Sequence, residues 1–252
     1  MEWIGSEGSM ERKPVLQMRG IYNGGEDDGR RALSTLLATK GAGVEISRVD
    51  SYEFLNSFLL EDSTEAVRLP VQVREEVDSR YVTTPLGEAG WREVTEAFKH
   101  SPNDGNMIGL EPYGGRITSI APGATAFVHR TPGFNVYAWV MWLEEDERGP
   151  AITFLDKLIS ILSKHSNGEA NQNYPRRSNK DYRSMYWGSN FATLLEIKRK
   201  YDPHNVFHYG QNVSDQPSSG GGGAGASGNQ GLLVDLDVTI EPIEHLKGLS
   251  ET

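Results

Sequence analysis

The clearest arrangement of residues able to do chemistry lies on one stretch, Phe134 to Leu143. At a period of two, Phe134, Val136, Ala138, Val140 and Trp142 project to one side, and Asn135, Tyr137, Trp139 and Met141 to the other. The first set reads as a core face packed under helices. The second combines an amide, a phenol and an indole, which suits a half-polar pocket that stacks a ring and hydrogen-bonds it. The same four residues also read as a solvent face with incidental aromatics, and the pattern alone leaves both open.

Other candidate groups point to less. His204 and His208 stand four apart, a metal-ligand spacing only on a helix, and they follow the helix-stopping Pro203. A formal Gly-x-Gly-x-x-Gly match within Gly220–Gly228 has no strand before it and no helix after it, so it reads as low-complexity linker. Glu111 and Glu145 read as isolated acids, with no second carboxylate placed as a glycosidase needs. No serine sits in a nucleophile elbow. Asn212-Val213-Ser214 is a glycosylation sequon only in a secreted chain. With no cysteine in 252 residues, disulfide scaffolds, thiolate metal sites, a cysteine nucleophile and a flavin tethered through cysteine are excluded.

Four helices are expected to position these groups: Asp27–Lys40, Glu88–Lys99 with Trp91, Val94 and Phe98 on one side, Pro150–His165, and Ser189–Tyr201. Ser189 is expected to cap the last, Leu194, Leu195 and Ile197 to pack it, and Asp202-Pro203 to end it. Strands are expected at Val15–Ile21, Val44–Val49, Met107–Tyr113, Arg116–Ile120, Ala126–His129 and Phe134–Leu143. Tyr113-Gly114-Gly115-Arg116 reads as a hairpin turn, and Pro122-Gly123 and Pro132-Gly133 as the next reversals, giving an antiparallel meander. The expected fold class is α+β, an antiparallel sheet with helices packed on one face.

The net charge is −10, and half of it falls in the tail beyond Ser214, where six acids meet the single base Lys247. With no basic stripe, nucleic acid is not an expected partner. No apolar run is long enough for a membrane span, and the charged start carries no apolar leader segment. Three zones follow: a loose 1–13, a globular body over 14–213, and 214–252, a flexible Gly/Ser linker to Gly228 and then an acidic tail. Leu233–Ile240 alternates aliphatic and acidic residues. It reads either as a strand offered to a partner's sheet edge or as a solubilising tail.

The segment Asn190-Phe-Ala-Thr-Leu-Leu-Glu-Ile-Lys-Arg-Lys-Tyr-Asp-Pro-His-Asn-Val-Phe207, led by Tyr186-Trp187-Gly188-Ser189, resembles the C-terminal signature of the berberine-bridge-enzyme-like FAD-linked oxidases. Glu111-Pro112-Tyr113-Gly114-Gly115-Arg116-Ile117 is similar to that family's sheet hairpin. Ala124-Thr125-Ala126-Phe127-Val128-His129-Arg130 is similar to the strand that follows it. The three occur in family order and spacing across the body.

What the resemblance implies is the substrate-binding half of a FAD-dependent oxidoreductase, with the flavin-binding domain outside this chain and supplied by a longer gene product or in trans. In the family a base in the substrate domain takes a proton, hydride passes to the flavin, and dioxygen reoxidises it. Asn135 and Tyr137 then fall at substrate-lining positions, with Trp139 on the same face. Asn171-Gln172-Asn173-Tyr174 matches the family's Tyr-x-Asn-Tyr element, with Asn171 in place of its leading tyrosine. An amide is no general base, so if the leading tyrosine is the family's usual base, either Tyr174 or Tyr137 substitutes for it or the proton transfer is missing. Tyr174 reads equally as a buried phenol satisfying backbone near Pro175. Asn171 becomes a substrate contact and Asn173 a flavin contact. The alternative is a non-catalytic binding protein derived from such an oxidase.

Overall fold

In a computed structural model the described residues are 2–4, 13–16, 18, 20–39, 50–55 and 73–215. The strand expected at 44–49, the linker from 216 onward and the acidic tail lie outside them. Glu2–Ile4 (β1) pairs antiparallel with Lys13–Val15 (β2). The strand expected over 15–21 does not continue past Val15 in its described residues. The helix expected over 27–40 is two short ones, Glu26–Ala32 (α1) and Ser34–Leu37 (α2), separated at Leu33.

The main sheet has three antiparallel strands in the order β3-β5-β4: Arg74–Val82 (β3), Met107–Tyr113 (β4) and Gly133–Trp142 (β5). Central β5 sets Tyr137 opposite Ser79 on one side and opposite Gly109 on the other. The meander expectation fails here, because β3 and β4 are successive strands yet are not neighbours. Tyr113-Gly114-Gly115-Arg116 makes no hairpin either. The chain leaves the sheet after Tyr113 and returns only at Gly133, the residue paired with Tyr113. The strands expected at 116–120 and 126–129 are turn and irregular backbone of this excursion, with a 3₁₀ turn at Pro122–Ala124. Gly133 suits the re-entry: its φ is +155°, and a Cβ there would lie 2.3 Å from the Val82 carbonyl oxygen.

Gly87–Phe98 (α3) packs against Arg148–Ser163 (α4), which covers one face of this sheet across β3 and β5, as the α+β class expects. Val136, Ala138, Val140 and Trp142 of β5 meet Leu155, Leu158, Ile161 and Leu162 of α4 in one buried core. Burying each of those leucines is worth about 1.5–3 kcal/mol. Phe134 leaves the pattern, standing half-exposed beside the Gly133 turn. Pro150 is tolerated in the first turn of α4, where its missing N–H would have no partner. Just before it, the Glu147 carboxylate accepts the N–H groups of Leu143 and Glu144, which lowers its pKa.

A second cluster forms beyond α4. Ala170 packs with Tyr182 and Tyr186 and with Trp187, against Phe191, Leu194 and Val213. Tyr182–Trp187 (α5) carries its centre, and Phe191–Tyr201 (α6) follows after a 3₁₀ turn at Gly188–Asn190. Ser189 does not cap α6, and Ile197, expected to pack it, is 48% exposed. Asp202 ends the helix as expected: its carboxylate takes the N–H groups of Val206 and Phe207 and pairs with Lys198. Among the described residues, no helix is long and apolar enough to cross a membrane.

Candidate active site

The β5 face opposite α4 carries Asn135, Tyr137, Trp139 and Met141, and the register adds Glu111 opposite Asn135 and Gly109 opposite Tyr137. Gly109 makes room for the phenol, since a Cβ there would sit 2.1 Å from Tyr137 Cζ. Tyr174, far along the chain, lies on this face. Its ring stacks on that of Tyr137 at 4.7 Å between centroids and 22° between planes.

Glu111 is the hub of the arrangement. Tyr174 Oη donates to its Oε1 at 2.6 Å, and Asn135 Nδ2 donates to its Oε2 at 2.7 Å. Glu111 is therefore not the isolated acid that its sequence context suggested, because its partners come from another strand and from a loop 63 residues on. The Tyr174 hydroxyl bonds that carboxylate rather than the backbone near Pro175. Burial raises the pKa of Tyr174, and the hydrogen bond to Glu111 raises it further. Tyr137 is raised by burial and then by the Glu111 charge. Asn135 is fully buried, and its Oδ1 has no hydrogen-bond partner, so one acceptor in the site calls for a donor.

A loop wrapping the outer edge of β3 delivers Tyr174. Tyr81 N–H donates to the Glu169 carbonyl, and Asn167 N–H donates to that of Tyr81. Asn171 then places its N–H on Ser79 Oγ, while its side-chain Oδ1 accepts the Asn173 N–H. Asn171 is buried, with that oxygen committed to the turn; Asn173 is exposed. Trp139 is partly buried on the same face as Tyr137.

Beside this face the buried His129 ring stacks on Tyr81 at 4.1 Å and holds Glu169 Oε2 at 2.9 Å through Nδ1. Burial works to raise the pKa of Glu169, but the bonds with His129 and Asn167 outweigh it and lower it. Asn190 ties the excursion between β4 and β5 to α6 by donating to the carbonyls of Pro122 and Thr125. A cleft of about 570 Å³ opens along that excursion, lined by Thr118, Arg130, Glu169 and Ser189 among others. None of the residues around Glu111 lines it, so the candidate chemistry sits on the sheet face instead.

An antiparallel sheet backed by helices, with a phenol–carboxylate pair on the face away from α4, defines an α+β domain. The family model described as berberine and berberine like matches residues 171–214, from the Tyr174 loop through α6. An uncharacterized FAD-linked oxidoreductase of Bacillus subtilis is 26% identical over 53% of this chain and 29% of its own length. The berberine bridge enzyme-like D-1 of Nicotiana tabacum is 24% identical over 82% of this chain and 44% of its own. Among solved structures, Physcomitrella patens BBE-like 1 superposes with a TM-score of 0.61 at 23% identity, covering 76% of this chain and 43% of that one. A chitooligosaccharide oxidase gives 0.59 at 22%, over 77% and 45%.

The chain resembles the berberine-bridge-enzyme-like FAD-linked oxidases, and it spans less than half the length of these relatives. FAD is the cofactor that the resemblance implies. The described residues fit one end of it. The aromatic face and the exposed Asn173 suit a planar ring system, whereas among the described residues the positive-φ glycines stand singly in separate turns and form no glycine-rich cradle for a diphosphate.

Proposed function

We propose that this chain is the substrate-binding half of a FAD-dependent oxidoreductase, in which Tyr174 and Glu111 together take the proton from a substrate hydroxyl. The carrying observation is the 2.6 Å bond from Tyr174 Oη to Glu111 Oε1. A phenol held protonated by a neighbouring carboxylate is a poor base alone but a good relay. The substrate hydroxyl donates to Tyr174 Oη while the proton of Tyr174 moves to Glu111 Oε1, so one proton enters the pair and one carboxylic acid results. FAD, when bound, supplies the acceptor for the substrate's hydride, and the alcohol carbon becomes a carbonyl. Tyr137 supports Tyr174 from below by stacking. Asn135, Tyr137 and Trp139 line the substrate, Asn171 borders it, and Asn173 faces the flavin ring. The substrate class is a small organic or secondary metabolite bearing a hydroxyl group. The flavin-binding domain comes from a longer gene product or from another chain.

The test is reduction of FAD by a panel of alcohols and sugars, followed by flavin absorbance with the chain alone and with a relative's flavin-binding domain added. The reading expects reduction that requires this chain. A chain that retains no flavin and speeds no reduction in either setting overturns it.

A further inference from the structure

Arg176 stands two residues beyond Tyr174 and is 5% exposed, yet it lies outside the face where the chemistry is placed. Its Nε donates to Glu76 Oε1 at 2.9 Å, Nη1 lies 3.5 Å from Asp78 Oδ2, and Nη2 lies 2.7 Å from Asp156 Oδ1. Two of these carboxylates belong to β3 and one to α4. The backbone of Arg176 is held as well, with its N–H on Tyr186 Oη and its carbonyl accepting from Gln211 Nε2.

Alternation along β3 places Glu76 and Asp78 on the face opposite Ser79. The loop is therefore fastened on both faces of one edge strand: Asn171 N–H to Ser79 Oγ on the site face, and Arg176 to Glu76 and Asp78 on the other. Tyr174 is suspended between the two fastenings, with Pro175 limiting the backbone beside it. Burial works against the guanidinium charge, and the bonds to Glu76 and Asp156 outweigh it. Such a clamp is geometrically specific because the guanidinium fork meets several carboxylates at once.

We propose that Arg176 is a positioning residue whose clamp on Glu76, Asp78 and Asp156 seats the Tyr174 hydroxyl on Glu111. The inference rests on the reading of Tyr174 and Glu111 as the proton-transfer pair. Its readout does not depend on turnover.

The experiment is ultraviolet titration of tyrosine ionisation in the full chain, with the Tyr174 component isolated by subtracting the matching Tyr174→Phe spectrum. In Arg176→Gln the Tyr174 component moves down toward the ordinary tyrosine value of about 10, because the phenol leaves its buried seat on Glu111. Arg176→Lys restores part of the shift. Asp156→Asn, which removes only the arm on α4, produces a smaller shift in the same direction and decides the matter if Arg176→Gln does not fold. A Tyr174 component unchanged in folded Arg176→Gln, or unchanged in Asp156→Asn where Arg176→Gln does not fold, overturns the proposal. Absence of oxidase activity in the parent is a failure of the functional reading and leaves the titration result standing.

Discussion

Tyr174 and Glu111 meet at 2.6 Å from opposite ends of the chain's architecture, the acid on a sheet strand and the phenol on a loop that reaches across from behind β3. A phenol partly buried and bonded to a carboxylate keeps its proton past the ordinary tyrosine range.

Alkaline stability follows from the same shifts. Burial raises the pKa values of Tyr81, Tyr137, Tyr174 and Tyr186 in the folded protein, added to by hydrogen bonds at Tyr81 and Tyr174 and by the Glu111 charge at Tyr137, and outweighing the opposing hydrogen bonds at Tyr186. The native state therefore keeps protons that the unfolded chain loses above about pH 10. Their contribution is complete below that pH and is lost as pH rises through the folded values. Melting temperatures measured from pH 9 to 12 are expected to change little from these groups up to pH 10 and to fall beyond it.

Gly109→Ala tests the floor of the site. The added methyl lands on the far end of the Tyr137 ring, which has room to swing only by leaving Tyr174. A stability loss of about 1 kcal/mol is expected, at the low end for overpacking. Near-ultraviolet circular dichroism is expected to show a lost tyrosine–tyrosine signal out of proportion to that loss.

Asn190→Ala removes the tie between α6 and the excursion from β4 to β5. Three carbonyl acceptors, those of Pro122, Thr125 and Ala126, lose their donor, at an expected loss of about 1–3 kcal/mol in denaturant unfolding. The Tyr174 titration should not move, because neither fastening of its loop involves Asn190.

The period-two face of β5 was legible in the sequence because alternation is a local signal, and apart from half-exposed Phe134 the structure places its apolar set as that alternation requires. The signature around α6 was legible for the same reason. Arg74–Val82 was not. Its many charged residues hide the alternation, and the buried Asp78 is matched by Arg80 on the same strand and by Arg176 from about one hundred residues away. Glu111 was missed in the same way: nothing near it in the sequence announces Tyr174. The hairpin expected at Gly114-Gly115 misled because paired glycines permit a tight turn without requiring one. The signal available for Glu111 was its alignment with Asn135 across β4 and β5, which needs the register rather than the composition.

The most direct test of the account is a double-mutant cycle on kcat in the flavin-loaded protein, using Glu111→Gln, Tyr174→Phe and both together. If the two act as one proton relay, each single change lowers kcat by about 100-fold or more, and the pair together costs little beyond either alone. A Glu111→Gln variant that turns over at the parent rate, or losses that multiply as for independent groups, contradicts it.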